Sequence, residues 1–234
     1  MAQAVLAQAR SPAEAPPTAS GPRGAAPMVS AEREGESGKA RRRKQLTLDV
    51  GHLTDKNLGQ LQKLNECTLP VAYKEQFYTG LLKHLEFSRL GYFADVLVAS
   101  ICCRIEERPA GGKALYIMTL SVLPAYQRRG MASQLIKWAI DKAEGKEIKK
   151  GADKYRAAAE TNPATHEDVQ EIYLHVQTSN TGAVNFYKSF GFEITQEIKG
   201  CYKKIEPPDC FVLRRPLNGF ALDKSAVATV TEES

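Results

Sequence analysis

The chain has 234 residues, 43% of them hydrophobic and 25% charged, which is typical of a soluble globular protein and leaves room for one sizeable domain with tails. No apolar run approaches the roughly 20 residues that cross a membrane as a helix, so we expect no membrane partner. The net charge is +5, but residues 1–44 contain eight basic and four acidic residues, which leaves one excess positive charge for the rest. This distribution argues against a nucleic-acid-reading domain.

The N-terminal segment, residues 1–44, is rich in Ala, Pro, Ser, Gly and Arg and contains almost no large apolar side chains. Such a composition predicts a disordered basic tail, because it cannot bury enough surface to offset its ordering entropy. The tail ends in a basic cluster at 39–44. A solvated linker, a nuclear signal and an anchor on ribosomal RNA are all compatible with that cluster. Met28 is an alternative start.

Cysteine usage predicts neither disulfides nor a metal site. The cysteines are odd in number and lack paired C-x-x-C spacing. We therefore expect all five to be reduced thiols in a cytosolic protein. They are Cys67, Cys102, Cys103, Cys201 and Cys210.

Apolar periodicity predicts one domain over residues 45–217, with an insertion at about 145–168 and a flexible tail at 218–234. The insertion has a basic first half and could contact a partner or RNA, although a solvated loop is the plainer interpretation. The predicted elements are a helix capped by Thr54, a break at 69–71, a helix over 74–85, strands over 95–105 and 115–122, a helix over 130–144, a strand over 171–177, a helix over 181–190 closed by Gly191, and strands over 192–198 and 210–214.

The stretch 115–132 carries the most informative local pattern, a strand that leads through a loop into a helix. The first turn of a helix has unpaired backbone N–H groups and a partial positive charge. Small residues there let a pyrophosphate approach these amides, and neighbouring arginines add full charges. A phosphate site and a plain helix start with two solvent-facing arginines are both compatible with this pattern. Its residues are Gln127, Arg128, Arg129, Gly130, Met131 and Ala132.

The order of motifs after this loop points to a family. A second apolar strand over 171–177 is followed by Asn180, Ala183, Phe186 and Tyr187 in the spacing N-x-x-A-x-x-F-Y, and then by Gly191-Phe192. This order resembles the GNAT acetyltransferase superfamily. Four further segments resemble its San-type N-alpha-acetyltransferases, the catalytic subunits of NatE. They are LPVAY at 69–73, LYIMTL at 115–120, YLHVQTSN at 173–180 and YKKIEP at 202–207.

The resemblance covers about residues 46–217 and implies an α/β GNAT fold, with a mostly antiparallel twisted sheet that is splayed at the acetyl-CoA site and flanked by helices. The extra tail and insertion suggest a fungal-like form of the family. The co-substrate implied is acetyl-CoA, with no metal. The implied acetyl-CoA-binding residues are Leu120, Val122, Gln127, Arg128, Arg129, Gly130, Met131, Ala132, Asn180 and Tyr187.

Amine acetylation needs a neutral nucleophile, and an α-amino group has a pKa of about 7.7–8. A base that acts near neutrality is therefore useful, and His175 is the natural candidate. Strand alternation places Tyr116, Met118 and Leu120 on one face and His175 on one face of another strand. The resemblance implies that Tyr116 and His175 act as the base through an ordered water, and that Tyr187 protonates the leaving thiolate. A core histidine is the alternative for His175.

The resemblance also implies a pocket for an initiating Met and a hydrophobic second residue. Its lining would include Met118, and Cys201 stands where the family has a second tyrosine. The apolar character of the pocket suits an unbranched thioether. An ordinary helix-breaking turn is the alternative for residues 69–71. The implied substrate-binding residues are Leu69, Pro70, Val71, Tyr73, Met118, Tyr202 and Ile205.

The implied partners are the N-terminal peptides of nascent proteins, the large auxiliary and catalytic subunits of the NatA complex, and the ribosome or its RNA through the basic segments. The expected location is the cytoplasm, on ribosomes, with the nucleus as an addition. Two other functions fit the residues: a largely non-catalytic accessory subunit of a ribosome-associated NatA/NatE complex, and a protein lysine acetyltransferase.

Overall fold

The computed structural model describes residue 46, residues 49–109, 111–146 and 169–222, and the backbone of residues 230–231. The tail at 1–44 and the insertion from 147 onwards lie outside these residues. Within them lie eight strands and four α-helices. They are β1 (Asp49–His52), α1 (Leu58–Thr68), α2 (Glu75–Leu81), β2 (Ser88–Phe93), β3 (Val96–Glu107), β4 (Lys113–Val122), α3 (Met131–Ala143), β5 (Val169–Gln177), α4 (Thr181–Lys188), β6 (Glu193–Lys199), β7 (Cys210–Pro216) and β8 (Val230–Thr231).

The strands form one mixed sheet in the order β1-β2-β3-β4-β5-β7-β6-β8. Neighbours run antiparallel except for β4–β5 and β6–β8, which are parallel. Parallel neighbours require a crossover, and α3 supplies it between β4 and β5. The mostly antiparallel sheet with flanking helices confirms the fold implied by the sequence resemblance.

Three strands of this sheet are absent from the sequence-based prediction: β1, β2 and β8. The first two have four and six residues, and Gly51 and Gly91 interrupt their apolar pattern. Their ladders with neighbouring strands, rather than local preference, define them. The third pairs with β6 at 230–231, inside the tail predicted to be flexible throughout.

The first helix begins later than predicted, because Thr54 precedes a 3-10 turn (Asp55–Asn57) and Asn57, rather than Thr54, is the cap residue of α1. The Asn57 side chain accepts a hydrogen bond from the Thr54 backbone N–H at 2.8 Å, and α1 begins directly after it. The helix ends at Thr68 because Pro70 lacks an N–H. The predicted second helix is shorter than expected, since α2 ends at Leu81 and turns follow.

A local irregularity shifts the face of β4. Cys102 pairs with Thr119 and Cys103 with Ile117, so Met118 is an extra residue in the ladder. Such a bulge reverses the alternation of side chains beyond it. The expectation that Leu120 shares a face with Tyr116 and Met118 is therefore wrong, because Leu120 lies in the core on the opposite side.

The sheet separates two apolar clusters, one facing α3 and α4 and the other facing α1 and α2. Tyr116 and Met118 belong to the second cluster, together with Leu61 and Tyr78. None of the helices described is long and apolar enough to cross a membrane.

Candidate active site

The two central parallel strands separate halfway along their length. β4 and β5 pair from Lys113–Val169 as far as Tyr116–Tyr173, whereas both strands continue beyond. The edge of β4 from 117 to 122 therefore faces a gap. Backbone groups along such an edge can bond an inserted ligand as an additional strand would. This divergence is the splay that the resemblance implied.

The predicted catalytic pair meets where the strands separate. The Tyr116 hydroxyl lies 3.2 Å from His175 Nδ1, and the two rings meet edge to face at 5.5 Å. Which atom donates depends on the tautomer of the imidazole. The pair is thus placed for joint action on one proton or one water molecule.

Burial governs the ionisation of this pair. It lowers the pKa of His175 to about 4, with help from the charge of Arg214 and against the opposing charge of Glu106. Burial also raises the pKa of Tyr116 well above its usual value. Both groups are neutral at pH 7, so the imidazole has one acceptor nitrogen and one N–H there.

Two tyrosines from segments outside the helices and strands lie near Tyr116. Tyr73 and Tyr202 are both close enough to contribute to the raised pKa of Tyr116, after burial and Tyr173. Tyr202 also contributes to the raised pKa of Tyr187. Tyr202 is therefore near both the predicted base and the predicted acid.

The predicted phosphate loop has the geometry of an anion site. Gly130 precedes α3 with φ of 84°, a conformation that favours glycine, and the first helical bond runs from the Gln134 N–H to the Gly130 carbonyl at 3.1 Å. The N–H groups of the first helical turn have no intrahelical partner and are thus left for a ligand. Arg128 is exposed, and Arg129 is half-buried beside it.

The phosphate loop is fastened from both sides. The Gln127 side chain donates to the Val122 carbonyl at 3.1 Å, which ties the loop to the end of β4. The Leu46 N–H donates to the Arg129 carbonyl at 3.1 Å, and the Gln134 amide donates to the Leu46 carbonyl at 2.7 Å. The loop is therefore held in shape without a ligand.

Tyr187 is fully buried in α4, against Phe192 at 5.6 Å. Its hydroxyl has no hydrogen-bond partner among the described residues. Burial raises the pKa of this hydroxyl, so the group retains its proton. A buried donor without a partner is costly, and a sulfur or oxygen atom of a bound molecule would satisfy it.

Other residues that are predicted to bind acetyl-CoA contribute to the core or cap a helix. Leu120 and Val122 are buried in the core, so they could meet a ligand only through their backbone. The Asn180 side chain accepts from the Ala183 N–H at 3.0 Å and caps α4. Met131 is also in the core, and Ala132 packs partly against it. Contact of these residues with a co-substrate stays a prediction.

The predicted peptide-binding residues differ in how far they are exposed. Leu69 is nearly buried at the end of α1, Pro70 is exposed and Val71 half-exposed. Tyr73 stacks on Phe77 at 4.2 Å. Met118 and Tyr202 are buried, Ile205 is half-exposed, and Tyr73 packs against the cluster that contains Met118.

The expectation that all cysteines are free is wrong for two of them. Cys201 and Cys210 form a disulfide, with their Cα atoms 5.8 Å apart, while Cys67, Cys102 and Cys103 are free. Antiparallel pairing of β6 and β7 sets Ile198 opposite Cys210 and so closes the nine-residue separation. Close C-x-x-C spacing is not needed when a hairpin joins the two ends.

The bridge closes the loop that carries Tyr202 and Ile205. We expect three thiols to react with a thiol reagent in denaturant without reductant, and five after reduction, because only the bridged pair is protected. The Cys201→Ser variant should show four reactive thiols both without reductant and after reduction. Five reactive thiols in the unreduced protein would contradict the bridge.

Sequence reasoning missed a set of polar residues around Tyr116. Tyr173 stacks on Tyr116 at 4.8 Å, and the Arg104 guanidinium lies 5.2 Å from the Tyr116 ring centre. The Tyr173 hydroxyl donates to the Glu106 carboxylate. The sequence signal for this set was the alternation of Arg104 and Glu106 at the end of β3. The prediction ended that strand at Ile105 and so left Glu106 out.

Comparison with known proteins agrees with this geometry. Residues 89–194 match the family described as acetyltransferase (GNAT) domain. The chain is 36% identical to N-alpha-acetyltransferase 50 of Danio rerio over 170 residues, 73% of this chain and 89% of that protein. It is also 36% identical to the probable N-acetyltransferase san of Drosophila melanogaster over 171 residues, 73% of this chain and 82% of that one.

Among solved structures, the chain is similar to Arabidopsis thaliana Naa50 in complex with the bisubstrate analogue CoA-Ac-MVNAL. The TM-score is 0.60 at 36% identity, over 73% of this chain and 99% of that one. That analogue joins a CoA moiety to a peptide beginning with Met and Val.

Proposed function

Because this chain belongs to the San-type N-alpha-acetyltransferases of the GNAT family, we propose that it transfers the acetyl group of acetyl-CoA to the α-amino group of proteins that begin with Met and a hydrophobic residue. The observation that carries the proposal is the Tyr116–His175 pair at the opening between β4 and β5. A helix start suited to phosphates supports the proposal, as does the apolar cluster that holds Tyr116 and Met118, which suits a methionine side chain.

The proposed reaction divides the work among three side chains. The peptide amine attacks the thioester carbonyl, so that a C–N bond forms and the C–S bond breaks. His175 and Tyr116, acting through a water molecule, take the proton that the attacking nitrogen loses. Tyr187 gives its buried proton to the departing thiolate.

The weak basicity of His175 favours an α-amine over a lysine side chain. With a pKa of about 4, the imidazole cannot efficiently deprotonate an ammonium group, so the amine must arrive neutral. About one α-amino group in ten is neutral at pH 7, but only about one lysine in a few thousand. Once the nitrogen has attacked and become cationic, it is acidic enough for a weak base.

A peptide panel tests the proposal. We expect acetylation of peptides beginning Met-Leu, with at least about tenfold lower kcat/KM for Ser-Glu or Ala-Glu starts, since losing the buried thioether forfeits about 1.5–3 kcal/mol. A peptide beginning Met-Lys tests whether the second residue must be hydrophobic. An N-terminally blocked peptide with an internal lysine is the control. Acetylation of the blocked peptide would favour a lysine acetyltransferase, and silence on every peptide would favour the accessory role.

Association with the NatA subunits and with ribosomes in the cytoplasm is part of the proposal. It rests on family membership alone, because the basic tail and most of the basic insertion lie outside the described residues. Co-purification with the large auxiliary subunit, with and without residues 1–44, tests this association. Loss of co-purification on truncation alone would assign it to the tail.

A further inference from the structure

A continuous row of side chains, which includes Tyr116 of the catalytic pair, crosses four neighbouring strands. Strand register sets Arg104 beside Tyr116, Tyr116 beside Tyr173, and Tyr173 beside Arg214. The Arg104 guanidinium lies 5.2 Å from the Tyr116 ring centre, and the Arg214 guanidinium lies 5.0 Å from that of Tyr173. The two tyrosine rings stack at 4.8 Å. Tyr116 is therefore flanked by a cation on one side and an aromatic ring on the other.

Glu106 connects the two groups that flank Tyr116. It lies opposite Ala114 of β4, and its carboxylate accepts from the Tyr173 hydroxyl on β5. Neighbouring strands are about 4.8 Å apart, so the side chain must pass over β4 to reach β5. A methyl group at Ala114 leaves that path open. The same carboxylate accepts from Arg104 Nε at 2.6 Å.

Hydrogen bonds rather than packing hold Glu106 in place. A cavity of about 360 Å³ opens beside it, lined also by Tyr173, Glu171 and Arg214. The Glu106 side chain is 29% exposed. Its replacement should therefore disturb the groups it bonds without collapsing the core.

We propose that Glu106 is a positioning residue for acetyl transfer: by holding the Tyr173 hydroxyl and the Arg104 guanidinium, it fixes the Tyr116 ring and so the contact between the Tyr116 hydroxyl and His175. This inference rests on the roles proposed above for Tyr116 and His175. Small displacements of reacting groups are enough to slow an enzyme substantially.

The primary test is Glu106→Gln, which keeps the size of the side chain and removes its charge. We expect kcat to fall about tenfold, with the KM for acetyl-CoA unchanged, because the phosphate loop is remote from this row. Glu107→Gln is the matched control, since Glu107 is the next residue on β3, is exposed and should leave kcat as it is. An unchanged kcat in Glu106→Gln would overturn the inference.

A double-mutant cycle distinguishes positioning from general damage. Tyr173→Phe keeps the ring stacked on Tyr116 and removes only the hydroxyl that Glu106 accepts. If Glu106 acts through Tyr173, the double variant should be no slower than Glu106→Gln alone. Full additivity would contradict the inference, and Tyr173→Phe alone supplies the test should Glu106→Gln fail to fold.

Tyr116→Phe separates this inference from the proposed mechanism. Normal turnover in Tyr116→Phe would remove the catalytic role of Tyr116 and the inference with it. Slow turnover in Tyr116→Phe beside normal turnover in Glu106→Gln would remove only the positioning role. Thermal melting and acetyl-CoA binding of each variant show that folding and co-substrate binding persist.

Discussion

His175→Ala is expected to lower kcat by about 10²–10⁴, the range that a positioned acid or base usually contributes. The reason is that His175 Nδ1 lies 3.2 Å from the Tyr116 hydroxyl, and no other histidine is described at this site. Acetyl-CoA binding should stay unchanged, because the helix start that is suited to its phosphates belongs to α3. Steady-state kinetics with a Met-Leu peptide and calorimetric titration of acetyl-CoA measure the two quantities.

His84→Ala is the matched control for His175→Ala. His84 is half-buried just after α2, and no hydrogen bond or ring contact joins it to the proposed catalytic residues, so kcat should be retained. Tyr116→Phe extends the test, because it removes one side of the pair and keeps the ring. If the two groups share one proton-transfer step, the double variant should be about as slow as the slower single variant. A kcat within twofold of the parent in His175→Ala would contradict the assignment.

Local patterns explain which parts of the fold could be predicted. Some elements can be recognised from about ten consecutive residues, through capping, glycine and periodicity. They are the helix that begins after Gly130, the helix capped by Asn180 and the strand that carries His175. Their order along the chain then identified the family. The short strands β1 and β2 could not be found in this way, because their partners rather than their own residues define them.

The errors at the site arise from contacts between distant residues. Strict alternation put Leu120 beside Met118, but the bulge that reverses it depends on how β3 pairs with β4. The bridge between Cys201 and Cys210 depends on the β6–β7 hairpin. The bond between Glu106 and Tyr173 joins residues 67 positions apart and needs the register of three strands. None of these has a signature within one segment.

Tyr187→Phe should lower kcat about tenfold to a hundredfold without loss of stability. The Tyr187 hydroxyl is buried and has no partner among the described residues, so its removal relieves a desolvation cost of about 1–3 kcal/mol. The melting temperature should therefore be unchanged or higher. In the free protein the Tyr187 hydroxyl lowers stability because it has no partner. During turnover the departing thiolate supplies that partner, so the stability cost is the consequence of a group placed for the reaction.

The matched control for Tyr187→Phe is Tyr78→Phe, another buried tyrosine, which belongs to the cluster on the other face of the sheet. Because Tyr78 has no part in the proposed chemistry, its replacement should leave kcat unchanged, whereas Tyr187→Phe should lower it. Thermal melts and steady-state kinetics on both variants complete the comparison. A lower melting temperature with normal kcat in Tyr187→Phe would mean that the hydroxyl serves the fold. A lower kcat at an unchanged or higher melting temperature would assign it to the departing sulfur.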